Sequence, residues 1–187
     1  MSCGELAKHF RAYLALGFSV IPVAHSRKAP PLVKWEEFMM RQPTLADFED
    51  WLRDFGRFNL GVVTGRVSRL VVIDFDDEDL FEDWVASLPL RYKMVVWNYT
   101  VKVRTLRGVH VYVRPEHVSA IPRTRKGYTE GVDIKGDGGY VVAPPSTVDG
   151  KRYAFFRGDG AKVFSKYLPP LWTETVSYLL DSVKKVV

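Results

Sequence analysis

The stretch Leu70-Val71-Val72-Ile73-Asp74-Phe75-Asp76 most narrows what this chain can fold into, because it is a strongly apolar strand running directly into carboxylates. Side chains alternate faces along a strand, so Asp74 and Asp76 project together, with Cα atoms roughly 6.6 Å apart, while Ile73 and Phe75 go to the opposite side. Two carboxylates that close raise each other's pKa, and at the end of a buried strand they are costly unless a divalent cation neutralises them. Hard oxygen ligands suit Mg²⁺ or Mn²⁺. The same aspartates are equally well placed as strand-end and N-cap residues of the helix that follows.

The rest of the composition sets the frame. With 187 residues and 47% hydrophobic content the chain can bury a core as one domain or as two small modules that share one. A single cysteine, Cys3, rules out an internal disulfide and a zinc ribbon and favours a reducing, cytoplasmic compartment. The apolar runs are too short to span a bilayer, and no signal-type stretch opens the chain, so no membrane partner is expected. The net charge of +5 says less than its distribution. Asp74, Asp76, Asp77, Glu78, Asp79, Glu82 and Asp83 precede a run from Arg91 to Lys126 in which only Glu116 is acidic. An acidic knot beside a basic surface suits a metal-dependent enzyme acting on polyphosphate or nucleic acid. A solvated acidic helix followed by a solvated basic loop fits the charges as well.

Ser2-Cys3-Gly4-Glu5 reads as a capping box for a helix facing inward with Leu6, Phe10, Tyr13 and Leu14 and ended by Gly17. A strand at 18–23, a Pro-rich basic loop pinned by Trp35 and Phe38, and a helix from Thr44 with Leu45, Phe48, Trp51, Leu52 and Phe55 inward follow. Strands are predicted at 59–63, 70–75, 94–97, 101–104, 109–113, 132–134, 140–142 and 153–156. An acidic helix with Leu80, Phe81, Trp84, Val85 and Leu88 buried lies among them, and a last helix shows Trp172, Val176, Leu179, Leu180 and Val183. This is an α+β pattern with a largely antiparallel sheet.

Two further constellations carry chemistry. In Gly108-Val109-His110-Val111-Tyr112, the valines face the core and His110 lies on the other face, beside a glycine that leaves room for a ligand to approach the backbone. Such a histidine can donate to phosphate oxygens, ligate a metal or act as a base, or simply lie on a sheet surface. Asp133, between Val132 and Ile134, can complete a three-carboxylate cluster. The Lys135-Gly136-Asp137-Gly138-Gly139 segment after it reads either as a phosphate cradle or as an ordinary hairpin turn.

In chain order, Asp-x-Asp on a strand, Gly-x-His on a strand and a lone Asp on a strand resemble the archaeo-eukaryotic primase superfamily, in particular its bifunctional primase-polymerase branch. Gly17 to Val23, Lys28-Ala29-Pro30 with Trp35, Asn59 to Gly65, Thr105 to Tyr112 and Val132 to Ser146 carry the likeness. It implies an N-terminal α/β module (about 1–65) packed on an RNA-recognition-like catalytic module (about 66–165), then a C-terminal helix (about 170–187), with the active site in the cleft between modules. Asp74, Asp76 and Asp133 match the metal-binding catalytic carboxylates, and His110 matches the contact to the incoming nucleotide's phosphates. Arg107, Lys135 and Ser146 join it as nucleotide-binding candidates. Lys28, Lys34, Arg123, Arg125 and Lys126 are candidates for single-stranded DNA, with Tyr128 or Trp35 to stack on bases.

The implied activity is template-directed nucleotidyl transfer with two Mg²⁺ or Mn²⁺ ions and no zinc, using (d)NTPs, a single-stranded template and a primer. A helicase or accessory domain is the expected partner, and plasmid or viral replication the expected setting. A metal-dependent nuclease or phosphatase would use the same carboxylates, and a non-catalytic nucleic-acid-binding module would need only the sheet and the basic surface.

Overall fold

Short capping signals start the first two helices. The computed structural model describes residues 2–26, 29–158 and 162–186. Ser2 and Glu5 form the expected capping box on α1 (Cys3–Ala15), each backbone N–H donating to the other's side chain. After β1 (Ser19–Val23), Thr44 and Asp47 do the same for α2 (Leu45–Phe55). Phe48 and Trp51 of α2 are buried, but Leu45 and Phe55, expected inward, overhang the core at the helix ends and are 47% and 37% exposed.

β2 (Asn59–Val63) and β3 (Val71–Phe75) lead to α3 (Glu78–Ser87) and α4 (Leu90–Tyr99). α4 replaces the strand expected at 94–97. An apolar run that short fits either period, and Pro89, free of any N–H, sits at the N-cap and lets a helix start. Only Val96 of α4 is buried. β4 (Val101–Arg104), β5 (Val109–Pro115), β6 (Arg125–Thr129), β7 (Val132–Lys135) and β8 (Tyr140–Val142) follow. The chain then runs through β9 (Thr147–Val148), β10 (Lys151–Arg152), β11 (Ala154–Phe155), α5 (Lys162–Tyr167), β12 (Pro170–Leu171) and α6 (Thr173–Ser182). Trp172, expected on the buried face of α6, instead precedes it as the N-cap and is 72% exposed.

The architecture is mixed α+β with largely antiparallel sheets. One sheet has the order β1-β2-β8; the larger has β11-β4-β5-β3-β7-β6, with β12 added in parallel to β5. The segment 136–139 is therefore no hairpin turn: it carries the chain from β7 in the larger sheet to β8 in the smaller one. One face of the larger sheet, with Ile73, Phe75, Val109, Val111 and Ile134, packs on Trp84 of α3, Val96 of α4 and Leu179 of α6. Its other face, with Val72, Val103 and Tyr112, joins the core of the N-terminal elements around Phe10, Phe18 and Phe58. Apolar burial on both faces makes β3 and β5 the centre of the molecule. Among the described residues no helix is long and apolar enough to cross a membrane.

The basic run does not form one surface. Lys102 is buried, and its Nζ donates to the carbonyls of Val96 (2.5 Å), Trp97 (3.1 Å) and Thr100 (3.1 Å), closing the C-terminal end of α4. Arg114 lies over the Phe18 ring, and Arg104 pairs back to Glu78 at 3.1 Å. Burial first, and then the charge of Arg157, pushes the Lys102 ammonium down to about 7 from an ordinary 10.5. The unfolded chain thus binds the proton more tightly between those values, so the folded state gains stability as pH rises through that window. In Lys102→Met this rise between about pH 7 and 9.5 is expected to vanish, on top of a loss of about 1–3 kcal/mol from the three abandoned carbonyls. Thermal melts of both proteins at the two pH values check it; equal pH slopes would remove Lys102 as the cause.

Candidate active site

Strand register gathers the site. Asp74 on β3 lies directly opposite His110 on β5 and, on its other side, opposite Asp133 on β7. Three adjacent strands thus place His110, Asp74 and Asp133 in one row, on the sheet face turned toward the N-terminal elements. Lys135, two residues along β7, shares that face. His110 Nε2 donates to Asp74 Oδ1 at 3.2 Å, which sets the ring's tautomer, and the buried Nδ1 has no hydrogen-bond partner. Lys135 Nζ stands 2.6 Å from Asp133 Oδ2 and 3.5 Å from Asp74 Oδ2. Asp133 Oδ1 accepts the Gly127 N–H at 2.6 Å. That amide points inward because β6 carries a register irregularity between Arg125 and Thr129, at which Gly127 takes a positive φ of 57°.

Asp76 follows the last residue of β3. It does not cap the next helix: Asp77 does, accepting the Asp79 N–H at 2.8 Å. Asp76 is left exposed, its own N–H donating to Gly131 O. Desolvation first, then the charges of Asp74 and Asp133, push its carboxyl above the usual range, outweighing Arg107 and Lys135. Asp74 goes the other way: burial works against its charged form, but His110 and Lys135 together overcome it. Burial likewise opposes the Lys135 ammonium, and Asp133 with Asp74 raises it above its ordinary value.

The row opens into a cleft of about 350 Å³ whose lining includes Asp74, His110, Lys135, Lys126 and Tyr153 together with Trp35 and Tyr140. Trp35 and Tyr140 meet edge to face, 5.2 Å between centroids, and Tyr140 Oη donates to Ala29 O at 3.2 Å. The cleft therefore pairs a charged floor with an aromatic wall, as a nucleotide-binding site requires.

The remaining expectations divide. Gly108 admits no ligand, for what approaches it is the chain's own backbone: a Cβ there would lie 1.9 Å from Phe75 O and 2.7 Å from Asp77 N. Ser146 lies away from the cleft, fully buried, its hydroxyl accepting the Leu60 N–H at 2.9 Å and donating to Leu60 O at 3.3 Å. Arg107, on the turn between β4 and β5, is exposed near Asp76. Lys126 is in the cleft; Lys34 and Arg123 are exposed outside its lining, and Arg125 covers the Tyr128 ring. Tyr128 packs on the opposite, helix-covered face and donates to Asp181. Lys28 lies outside the described residues. Tyr140 and Tyr153 escaped the sequence reading. Tyr140 begins a strand straight after the glycine-rich segment, which was a usable signal; Tyr153, 5.8 Å from the His110 ring, left none.

Among the described residues no group of three or more His, Cys, Asp or Glu side chains is gathered to hold a metal ion. What the fold presents is a mixed α+β frame whose largest sheet carries His110, Asp74 and Asp133 in one row across adjacent strands. Residues 10–171 match the family model described as bifunctional DNA primase/polymerase, N-terminal, and the chain belongs to that family. Membership implies nucleotidyltransferase activity of the primase and polymerase kind. No curated relative matches the chain.

Proposed function

We propose that the chain is a template-directed DNA primase and polymerase that joins (d)NTPs on a single-stranded DNA template with the help of two divalent metal ions, Mg²⁺ or Mn²⁺. One observation carries this reading: Asp74, which lines the cleft, lies directly opposite Asp133 on the paired strand, and Asp76 is near enough to feel the charge of both.

The residues present suit a hard cation. All three acidic donors are carboxylates, and the space between Asp74 and Asp133 already accommodates a positive group. Asp74, Asp76 and Asp133 would hold the metal. Bound there, it would acidify the attacking hydroxyl and neutralise charge on the triphosphate and the departing pyrophosphate.

The chain's own groups do the positioning. His110, through its Nε2–H, aims the Asp74 carboxylate, Arg107 beside Asp76 is a donor for phosphate oxygens, and Trp35 with Tyr140 offers the base an aromatic face. Lys126, and Lys34, Arg123 and Arg125 outside the cleft, supply positive charge for the template backbone.

The test is synthesis on a single-stranded template, with and without a primer, supplying dNTPs or NTPs and Mg²⁺ or Mn²⁺. Metal-dependent product of template-defined sequence is expected. Cleavage of the template without incorporation would replace this reading with that of a nuclease, and binding without either reaction with that of a non-catalytic module.

A further inference from the structure

Every oxygen of the two facing carboxylates is engaged, and by different kinds of partner. Asp74 Oδ1 accepts from the His110 ring and Asp133 Oδ1 from the Gly127 backbone, both parts of the sheet itself. The remaining pair, Asp74 Oδ2 and Asp133 Oδ2, is held by Lys135 alone. The fixed donors leave those two oxygens turned toward each other, and the one group between them is an ammonium on a flexible four-carbon stem. Its side chain is only 14% exposed, so it is packed into the site rather than laid over it.

We propose that Lys135 is a resident counter-ion: in the metal-free protein its ammonium occupies the place between Asp74 and Asp133 that a divalent cation takes, and it swings out toward the cleft when the cation enters. This rests on the reading that the row binds a divalent metal. It assigns Lys135 a positioning role distinct from contact with a bound nucleotide, because it acts before any nucleotide arrives. The ammonium also keeps the two carboxylates aimed before a cation arrives: without it, two like charges on paired strands would push apart. It makes metal entry a competition, whose cost is the loss of two charge-assisted contacts.

Calorimetric titration of the full chain with Mn²⁺, at one fixed neutral pH and without nucleotide, tests the exchange, with thermal unfolding in the absence of metal alongside. Lys135→Met is expected to unfold several degrees lower without metal, yet to bind Mn²⁺ about tenfold more tightly than the wild type, since the competitor is gone. Lys135→Gln, which keeps a donor but no charge, should shift in the same sense and serves if the methionine variant does not fold. A lysine that met only phosphates would leave Mn²⁺ affinity unchanged, and one that supported the ligand set would weaken it; either result overturns the proposal while leaving the metal reading intact. If the wild type binds no Mn²⁺, both fall together.

Discussion

Asp74→Asn and Asp133→Asn are each expected to lower nucleotide incorporation by roughly a thousandfold or more, the equivalent of about 4 kcal/mol of lost charge stabilisation in the transition state. Asparagine keeps the shape, and Asn at 133 can still accept the Gly127 N–H, so the row survives as structure. Each change does leave Lys135 with one carboxylate fewer, for an expected stability loss of about 1 kcal/mol. Asp76→Asn separates the two effects more sharply. Its carboxyl is pushed above the usual range, so ionised Asp76 weakens the fold at neutral pH, and that penalty disappears as pH falls below the ordinary 3.8. The variant should lose activity while its melting temperature rises by about a degree, the exposed position screening the rest. Primer extension with melting curves for the three variants decides the matter, and wild-type incorporation by any of them would remove that aspartate from the site.

How the row arises explains which parts of it were legible in the sequence. Period-two alternation was enough to put Asp74 and His110 each on the face opposite its strand's valines or isoleucine, and Asp133 opposite Val132 and Ile134. Which strands lie side by side is not written in any one of them. That Asp74 stands opposite both His110 and Asp133 depends on β3 lying between β5 and β7, a matter of chain topology. The resemblance to a known family supplied that juxtaposition, where composition and spacing offered only an acidic knot. Backbone partners stayed out of reach altogether: the Gly127 amide that aims Asp133 depends on an irregularity in β6, and the tight approach at Gly108 depends on a neighbouring strand's exit.

The misread elements fail for related reasons. Residues 94–97 are too few to show a period, and the signal that a helix begins there lay just upstream, in Pro89. Lys102 and Arg114 were counted as surface charge because their residue type is usually solvated, whereas here a helix terminus and an aromatic ring take them in. With these two, and Arg104 with its Glu78 partner, set aside, the cations of the basic run that reach the site are Lys126, lining the cleft, and Arg107, near Asp76. The net charge of the chain was therefore a poor guide to the charge that faces the site.

Gly108→Ala should damage fold and site together. A Cβ there would meet Phe75 O at 1.9 Å, Asp76 C at 2.6 Å and Asp77 N at 2.7 Å, all backbone atoms that no side-chain rotation can move aside. The clash can be relieved only by parting the β4–β5 turn from the exit of β3, which breaks the packing that holds Asp76 beside the row. An overpacking cost of about 3 kcal/mol or more is expected, and a melting temperature lower by roughly 10 °C for a chain of this size. Activity should fall further than the remaining folded fraction accounts for, since the displaced segment carries a carboxylate. Gly4→Ala is the matched control: at this exposed position in the first turn of α1 a Cβ meets nothing within 4 Å, and the change should be neutral or slightly stabilising. Melting curves and primer extension on the two variants give the comparison. A Gly108→Ala protein as stable and as active as Gly4→Ala would mean that the turn and the strand exit are not in contact, and with that the account of how Asp76 is held in place would fail.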